Sequence, residues 1–93
     1  PAKYNAGADV TDSIVGSGAI FNGTVEHCVV FRKVYIDEGA VVRNSILMEG
    51  VRIGKNCVVE NAILDKEVSI SEGQQVIGKS SEEPIILKKG TKL

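Results

Sequence analysis

Few side chains in this 93-residue chain could carry out chemistry, and the first to consider are a single histidine and two cysteines. His27 could act as a general base, for example in the transfer of an acyl group. A catalytic zinc held by three histidines is excluded, because the chain has only one. Cys28 and Cys57 could act as nucleophiles only as thiolates. No residues combine into a nucleophile, a base and an oxyanion site, so the sequence predicts no catalytic site.

The positions of these three residues favour structural roles. His27 lies in the polar part of the short unit 25–29, and we expect it at a surface corner. Cys57 falls in a column of small aliphatic residues and is expected in the core. Cys28 occupies a position that other units fill with serine or alanine, which indicates a site that tolerates small side chains.

Composition and charge exclude several classes of function. The 11 basic and 12 acidic residues give a net charge of −1, without the basic excess of a nucleic-acid-binding protein. No apolar run is long enough to span a membrane, and the N-terminus does not resemble a signal peptide. Two cysteines are too few for a disulfide framework and indicate a reducing, cytoplasmic location. The length predicts one domain, and the start at Pro1 leads us to expect a part of a longer protein.

A regular repeat organises the chain around these positions. Ile36, Ile53 and Ile70 are equally spaced, and the same interval places Val42 over Val59. A repeat of this length indicates stacked units that bury their faces against one another. Aromatic residues are scarce, so the core is expected to be narrow and built from small aliphatic side chains.

The repeat divides into units of five or six residues, each opening with an aliphatic residue. The openings are Val10, Val15, Ile20, Val25, Val30, Ile36, Val42, Leu47, Ile53, Val59, Leu64, Ile70 and Val76. A second column, four residues after each opening and also expected to point inward, is Ile14, Ala19, Thr24, Val29, Val34, Ala40, Ile46, Val51, Cys57, Ile63 and Val68. β-Branched residues favour short strands, and the Gly and Asn residues between the columns favour turns. Three units would make one turn of a three-sided coil that rises by about 4.8 Å.

The six-residue units IGKNCV and IDEGAV resemble the hexapeptide repeat of left-handed parallel β-helices. The predicted fold class is therefore all-β, a single-stranded left-handed parallel β-helix of roughly four turns, with its handedness taken from that resemblance. We predict a lead-in segment over residues 1–9, the β-helix over residues 10–77, and a loop with a short C-terminal capping strand over residues 78–93. The apolar run 85–87 is expected to cover the last turn, because an open solenoid end is prone to aggregate.

Three segments resemble a narrower family. The sequences GTVEHCVVF (23–31), NSILM (44–48) and ENAILDK (60–66) are similar to the C-terminal β-helix of bacterial glucose-1-phosphate adenylyltransferase, or ADP-glucose pyrophosphorylase. The tail resembles the D-type subunit of glycogen biosynthesis. This resemblance implies a domain for oligomer assembly and allosteric regulation that carries no catalytic site and no cofactor of its own.

The same resemblance implies a nucleotidyltransferase domain preceding residue 1. That domain would hold Mg²⁺ and convert ATP and glucose 1-phosphate to ADP-glucose and pyrophosphate, or it would be a regulatory version without activity. We expect this domain to be one partner of the chain. The other expected partners are related subunits, in a homo- or hetero-oligomer, and a sugar-phosphate effector. Neither nucleic acid nor a membrane is expected to bind.

Candidate binding residues follow from the family and from the outward positions. In plant and cyanobacterial members two lysines bind a sugar-phosphate activator, and the resemblance puts Lys66 and Lys88 in their places, with the neighbouring Lys89 as the alternative in the tail. Two convergent cations could hold a phosphate group.

Stacked outward apolar pairs predict an oligomer interface, and the candidates are Phe31 with Met48 and Val41 with Val58. Two alternatives stay open for the function: a fragment of a hexapeptide-repeat acyltransferase, and a purely structural β-helix.

Overall fold

The computed structural model describes all 93 residues and consists of short β-strands joined by tight corners. The strands are β1 (Lys3–Tyr4), β2 (Asp9–Thr11), β3 (Ile14–Val15), β4 (Ile20–Phe21), β5 (Thr24–Glu26), β6 (Val29–Val30), β7 (Tyr35–Ile36), β8 (Val41–Arg43), β9 (Ile46–Leu47), β10 (Arg52–Ile53), β11 (Val58–Glu60), β12 (Ala62–Leu64), β13 (Ser69–Ile70), β14 (Gln75–Ile77) and β15 (Ile85–Leu87). The chain contains no helix long and apolar enough to cross a lipid bilayer.

The strands form three parallel sheets of five strands each. Sheet A has the order β1-β4-β7-β10-β13, sheet B has β2-β5-β8-β11-β14, and sheet C has β3-β6-β9-β12-β15. Three consecutive strands, one from each sheet, form what we call a rung, and corners A/B, B/C and C/A join the sheets. From β1 to β13 the chain completes four turns. The fold is the all-β, three-sided parallel coil expected of a left-handed β-helix, which confirms the prediction.

The register of the sheets confirms the repeat seen in the sequence. Ile53 is directly opposite Ile36 on one side and Ile70 on the other, and Val59 is opposite Val42 in sheet B. These residues are 3% exposed or less and belong to a single core of 19 buried residues on the coil axis. Side chains of the same type therefore stack on one another in the interior, because each rung repeats the geometry of the rung before it.

The second rung departs from the expected spacing. Ile20 was expected to open a unit and point inward, but it is only partly buried and pairs with Tyr35 on the outer face. Phe21 takes the inward position instead and is fully buried. The corner that follows is shorter than in the next rung, and Gly23 makes this possible. A Cβ on Gly23 would lie 2.6 Å from the carbonyl oxygen of Ala40, a distance that no side chain permits.

The prediction that the second column points inward was wrong on sheet C. Ile14 is 72% exposed and Val29 36% exposed, and Ile46 and Ile63 are only partly buried. The buried column lies one residue earlier, at Cys28, Ser45 and Ala62. The physical reason is that corner B/C turns through residues with positive φ, such as Asn44 (φ 49°), so the chain has already re-entered the core at the next residue. On sheets A and B the column was correct for Ala19, Val34, Ala40, Val51, Cys57 and Val68, which are all buried. It was wrong for Thr24, which is only partly buried and lies opposite Val41 on the outer face of sheet B, because the shorter corner of that rung places Gly23 at the inward position.

Both ends of the chain extend the coil. In the lead-in segment, β1 pairs with β4, and the ring of Tyr4 stacks on Phe21 at 5.3 Å between centroids. At the other end, β15 pairs with β12 and covers the last turn on sheet C. The chain then follows the same path, since Lys92 forms a parallel bridge with Ser69. The tail is thus a further rung as well as a cover.

Candidate functional site

A cluster of basic side chains lies at corner C/A. Leu64 is opposite Leu87 and Ser69 is opposite Lys92, so the tail stays in register with the preceding rung despite the long loop before β15. This register places Lys66 level with Lys89, and it places Lys88 one position earlier. All three lysines are exposed, and none forms an ion pair within 4.0 Å. Two adjacent rungs, about 4.8 Å apart, therefore bring three lysines to one corner, which also holds the acidic residues Asp65 and Glu67.

The rungs above these lysines make the corner more positive. Arg32 and Lys33 lie at the same corner in the second rung, and Arg32 donates a hydrogen bond of 3.1 Å to the carboxylate of Glu49. This hydrogen bond, together with the charges of Arg32, Lys33 and Lys66, lowers the pKa of Glu49. Glu49 therefore stays ionised and pairs with Arg32.

The outer face of sheet C carries an uninterrupted aliphatic ladder. Its members, opposite one another in register, are Ile14, Val29, Ile46, Ile63 and Ile86. Phe31 and Met48 follow the ladder positions of the second and third rungs and widen the apolar surface there. Phe31 is 46% exposed and Ile86 is 62% exposed. We call this ladder, with Phe31 and Met48, the sheet C face.

The second apolar candidate lies on sheet B and is narrower. Val41 and Val58 are directly opposite each other and only partly buried. They are bordered by the side chain of Arg43, which bridges Glu26 at 3.2 Å and Glu60 at 3.3 Å. The outer face of sheet B is therefore largely polar, and the valine pair is a small apolar island on it.

His27 lies at corner B/C, as expected, and its ring faces solvent. Its Nδ1 atom is 2.7 Å from a carboxylate oxygen of Asp12, and both side chains are more than two-thirds exposed. This pair borders an open groove of about 680 Å³ that also contacts Ile46 and Pro84. A fully solvated pair of this kind orients the imidazole but does not desolvate a substrate. The structure places no nucleophile in contact with His27.

Both cysteines are buried, and their thiols donate hydrogen bonds to backbone carbonyl oxygens. Cys28 Sγ donates to the carbonyl oxygens of Glu26 at 3.3 Å and Val42 at 3.6 Å, and Cys57 Sγ donates to that of Ser71 at 2.9 Å. Burial raises the pKa of the Cys28 thiol above its ordinary value. A protonated, buried thiol is a poor nucleophile, so Cys28 is not poised for chemistry. Both cysteines belong to the core, and neither forms a disulfide.

The sequence analysis missed one feature of the surface and left another open. Lys89 was only an alternative to Lys88, although the register puts it beside Lys66. The ladder on sheet C was not predicted, because its isoleucines were assigned to the core. The available signal for the inward column was the small size of the residues one position earlier, Cys28, Ser45 and Ala62. Ser45 is the polar member of that column. Its hydroxyl group is satisfied inside the protein, donating to the carbonyl oxygen of Arg43 at 2.8 Å.

Comparison with known proteins supplies a family context for this surface. Residues 1–85 match the family described as GlmU-like, C-terminal hexapeptide. The chain is 37% identical over 90 residues, 97% of its length, to the glycogen biosynthesis protein GlgD of Bacillus subtilis (strain 168). It is 43% identical over 79 residues, 84% of its length, to glucose-1-phosphate adenylyltransferase of Corynebacterium jeikeium (strain K411). It is 35% identical over 88 residues, 94% of its length, to the enzyme of the same name from Bacillus thuringiensis (strain Al Hakam).

The match covers only part of these relatives. The chain spans 26% of the length of the GlgD protein, and 19% and 23% of the two adenylyltransferases. The regions matched are C-terminal in those proteins.

Proposed function

The chain belongs to the GlmU-like, C-terminal hexapeptide family, and from that membership we propose that it is the assembly and effector-binding domain of a glucose-1-phosphate adenylyltransferase-like protein of glycogen synthesis. The similarity of nearly its whole length to a glycogen biosynthesis protein is the observation that carries this proposal. The parent reaction would join ATP and glucose 1-phosphate to give ADP-glucose and pyrophosphate, in the cytoplasm.

In this proposal the chemistry takes place outside the 93 residues. No group of three or more His, Cys, Asp or Glu side chains lies close enough together to hold a metal ion. The Mg²⁺ of the parent reaction would be bound by the nucleotidyltransferase domain, which is also the first partner of the β-helix. That domain is either active or a regulatory version, and an adenylyl-transfer assay of the full-length protein decides between the two.

The effector would be a small phosphate ester bound at corner C/A. A phosphate dianion is best held by several cations at hydrogen-bonding distance, and Lys66, Lys88 and Lys89 offer three that form no ion pair with a carboxylate. They lie on the last two rungs, so an anion that bridges them would tie the tail to the body of the coil. Effector binding would thus be coupled to the order of the tail.

The test is calorimetric titration of fructose 1,6-bisphosphate and 3-phosphoglycerate into three forms of the protein. These are the wild type, Lys66→Ala with Lys88→Ala, and a control with Arg52→Ala and Lys92→Ala. The control removes two cations from a depression on sheet A, where Arg52 lies 4.8 Å from the ring centroid of Tyr35. We expect the first variant to bind about tenfold more weakly for each lysine lost, on the basis of about 1.5 kcal/mol per charge-assisted hydrogen bond.

Each outcome of this titration is informative. Equal affinity in the wild type and the Lys66/Lys88 variant would remove these lysines from the site, and selective loss in the control would move the site to sheet A. If neither ligand binds the wild type, the effector half of the proposal is lost. Adding Lys89→Ala tests the additional lysine that the register brings to the corner.

The assembly half is tested with paired substitutions on the two candidate surfaces. Phe31→Glu with Met48→Glu places two charges on the sheet C face, and Val41→Glu with Val58→Glu does the same on sheet B. We expect the first pair to reduce the mass of the full-length assembly measured by light scattering, because the sheet C face is the larger apolar surface. An unchanged assembly in the first pair and a smaller one in the second would assign the interface to sheet B.

A further inference from the structure

Corner A/B is shorter in the second rung than in the rungs on either side of it. Two residues, Asn22 and Gly23, join β4 to β5, whereas four residues join β1 to β2 and four join β7 to β8. The short corner brings Gly23 against the third rung, where a Cβ would lie 2.6 Å from the carbonyl oxygen of Ala40 and 2.7 Å from that of Asp37. Packing therefore requires a glycine at this position, and the residue before it is an asparagine.

The short corner also leaves the N–H of Gly23 without a hydrogen bond. In the longer corners the residue at this position donates back into the turn: Ala8 donates to the carbonyl oxygen of Asn5 at 3.0 Å, and Ala40 donates to that of Asp37 at 3.2 Å. The two-residue corner has no equivalent carbonyl, and the N–H of Gly23 pairs with no acceptor in the protein. A buried amide nitrogen without a partner is rare, so it calls for a chemical explanation.

An asparagine followed by glycine is the pair most prone to lose the side-chain amide. The backbone nitrogen of Gly23 would give its proton to hydroxide and attack Cγ of Asn22, so that a new N–Cγ bond forms and the side-chain nitrogen leaves as ammonia. Water would then open the resulting succinimide ring at either carbonyl, which gives aspartate or isoaspartate. Among the asparagines of the chain, only Asn22 precedes a glycine; the others are Asn5, Asn44, Asn56 and Asn61.

A hydrogen-bonded ladder along the corner holds the side chain of Asn22. Its Oδ1 atom accepts from Nδ2 of Asn5 at 2.7 Å, and its Nδ2 atom donates to the hydroxyl group of Tyr35 at 3.2 Å. The backbone is fixed as well, since the N–H of Asn22 donates to the carbonyl oxygen of Ile36 at 2.8 Å. The side-chain amide can turn toward the nitrogen of Gly23 only after both side-chain hydrogen bonds break.

We infer that Asn22 is a deamidation site, which the ladder Asn5–Asn22–Tyr35 protects in the folded chain. Asn5 follows the edge strand β1, so local opening of the first rung would release the Oδ1 atom of Asn22. Isoaspartate would add a methylene group to the backbone of a corner in which Gly23 has no space for a Cβ. Modification would therefore destabilise the coil from its first two rungs. This inference is independent of the effector and assembly proposals.

The test is peptide mapping by mass spectrometry after incubation at mildly alkaline pH, which follows each asparagine separately. The samples are the wild type, Asn5→Ala, Tyr35→Phe, the double variant, and a synthetic peptide of residues 18–28 as the unprotected reference. We expect each single substitution to accelerate deamidation of Asn22 about tenfold, the factor that corresponds to one hydrogen bond of about 1.4 kcal/mol. The double variant should approach the rate of the peptide.

The experiment contains its own controls. Asn44 and Asn61 lie at corner B/C, outside the ladder, and their rates should be the same in all four proteins. Tyr35→Phe keeps the ring that contacts Arg52 and removes only the hydroxyl group, so it tests the ladder even if Asn5→Ala disturbs the first rung. Circular dichroism verifies that each variant is folded.

Three results would overturn the inference. A wild type that deamidates at Asn22 as fast as the peptide would show that the ladder gives no protection. A folded double variant with the wild-type rate would show that these hydrogen bonds do not control the reaction. Aspartate without isoaspartate would exclude attack by the nitrogen of Gly23, because direct hydrolysis of the side chain yields aspartate alone.

Discussion

The alternation of buried and exposed residues along β9 gives the sharpest test of the fold. Leu47 is fully buried between Val30 and Leu64, whereas its neighbour Ile46 is partly exposed on the sheet C face. Leu47→Ala removes the packing of a side chain in a narrow coil whose walls cannot collapse. We expect a loss of about 3 to 4 kcal/mol, in the upper part of the range for buried leucines. Ile46→Ala should cost less, about 1 to 2 kcal/mol, because part of the side chain is already in water.

The assay is urea denaturation followed by circular dichroism, at a protein concentration low enough to keep the chain monomeric. A domain of this size has a total stability of roughly 5 to 14 kcal/mol, so Leu47→Ala should lower the midpoint severely while the slope stays the same. In thermal melts the same loss corresponds to a decrease of roughly 15 °C or more. The reasoning is refuted if the two alanine variants lose equal stability, since both side chains would then be equally buried.

Three further changes have distinct expected results. The N–H of Ala62 donates to the hydroxyl group of Ser45 at 3.1 Å, and Ser45→Ala leaves this donor without a partner. The substitution should lower the free energy of unfolding by about 1 to 3 kcal/mol in urea denaturation, and an unchanged midpoint would contradict this. Burial raises the pKa of Cys28, so the folded state favours the protonated thiol. The free energy of unfolding should therefore fall once the pH exceeds the pKa of the thiol in the unfolded chain, which is near 9.0. This alkaline decrease should be smaller in Cys28→Ala, as measured by denaturation at pH 8 to 10. Arg43→Gln breaks two exposed ion pairs and should cost about 1 kcal/mol or less at low salt, and the difference should vanish in 1 M NaCl; a persistent difference would indicate that packing rather than charge is lost.

Sequence reasoning identified the coil because its interior repeats itself. Ile36, Ile53 and Ile70 occupy equivalent positions in successive rungs, so a fixed offset reveals them without any knowledge of the corners. The same argument fails where a corner changes length. Phe21 rather than Ile20 points inward, and this depends on the close approach of Gly23 to the next rung, a contact between residues distant in sequence.

The outer faces were harder to predict, because an aliphatic residue looks the same whether it points inward or outward. Ile46 and Leu47 are adjacent, and only the point at which the chain turns at Asn44 decides which one enters the core. The candidate lysines came from the family resemblance, and their roles stay a prediction. The structure adds the register that brings Lys89 beside Lys66, which depends on the length of the loop before β15.

The corners of this coil accept different lengths without any change in the interior. The path between successive core positions is shortest from Val10 to Val25, longer from Val25 to Val42, and longest from Leu64 to Leu87. The strands nevertheless stay in register, because each rung needs only to add one short strand to each of the three sheets. An evolving protein can therefore lengthen a corner, or remove or duplicate a whole rung, at little cost to folding. New binding loops can thus arise beside a core that stays as it was.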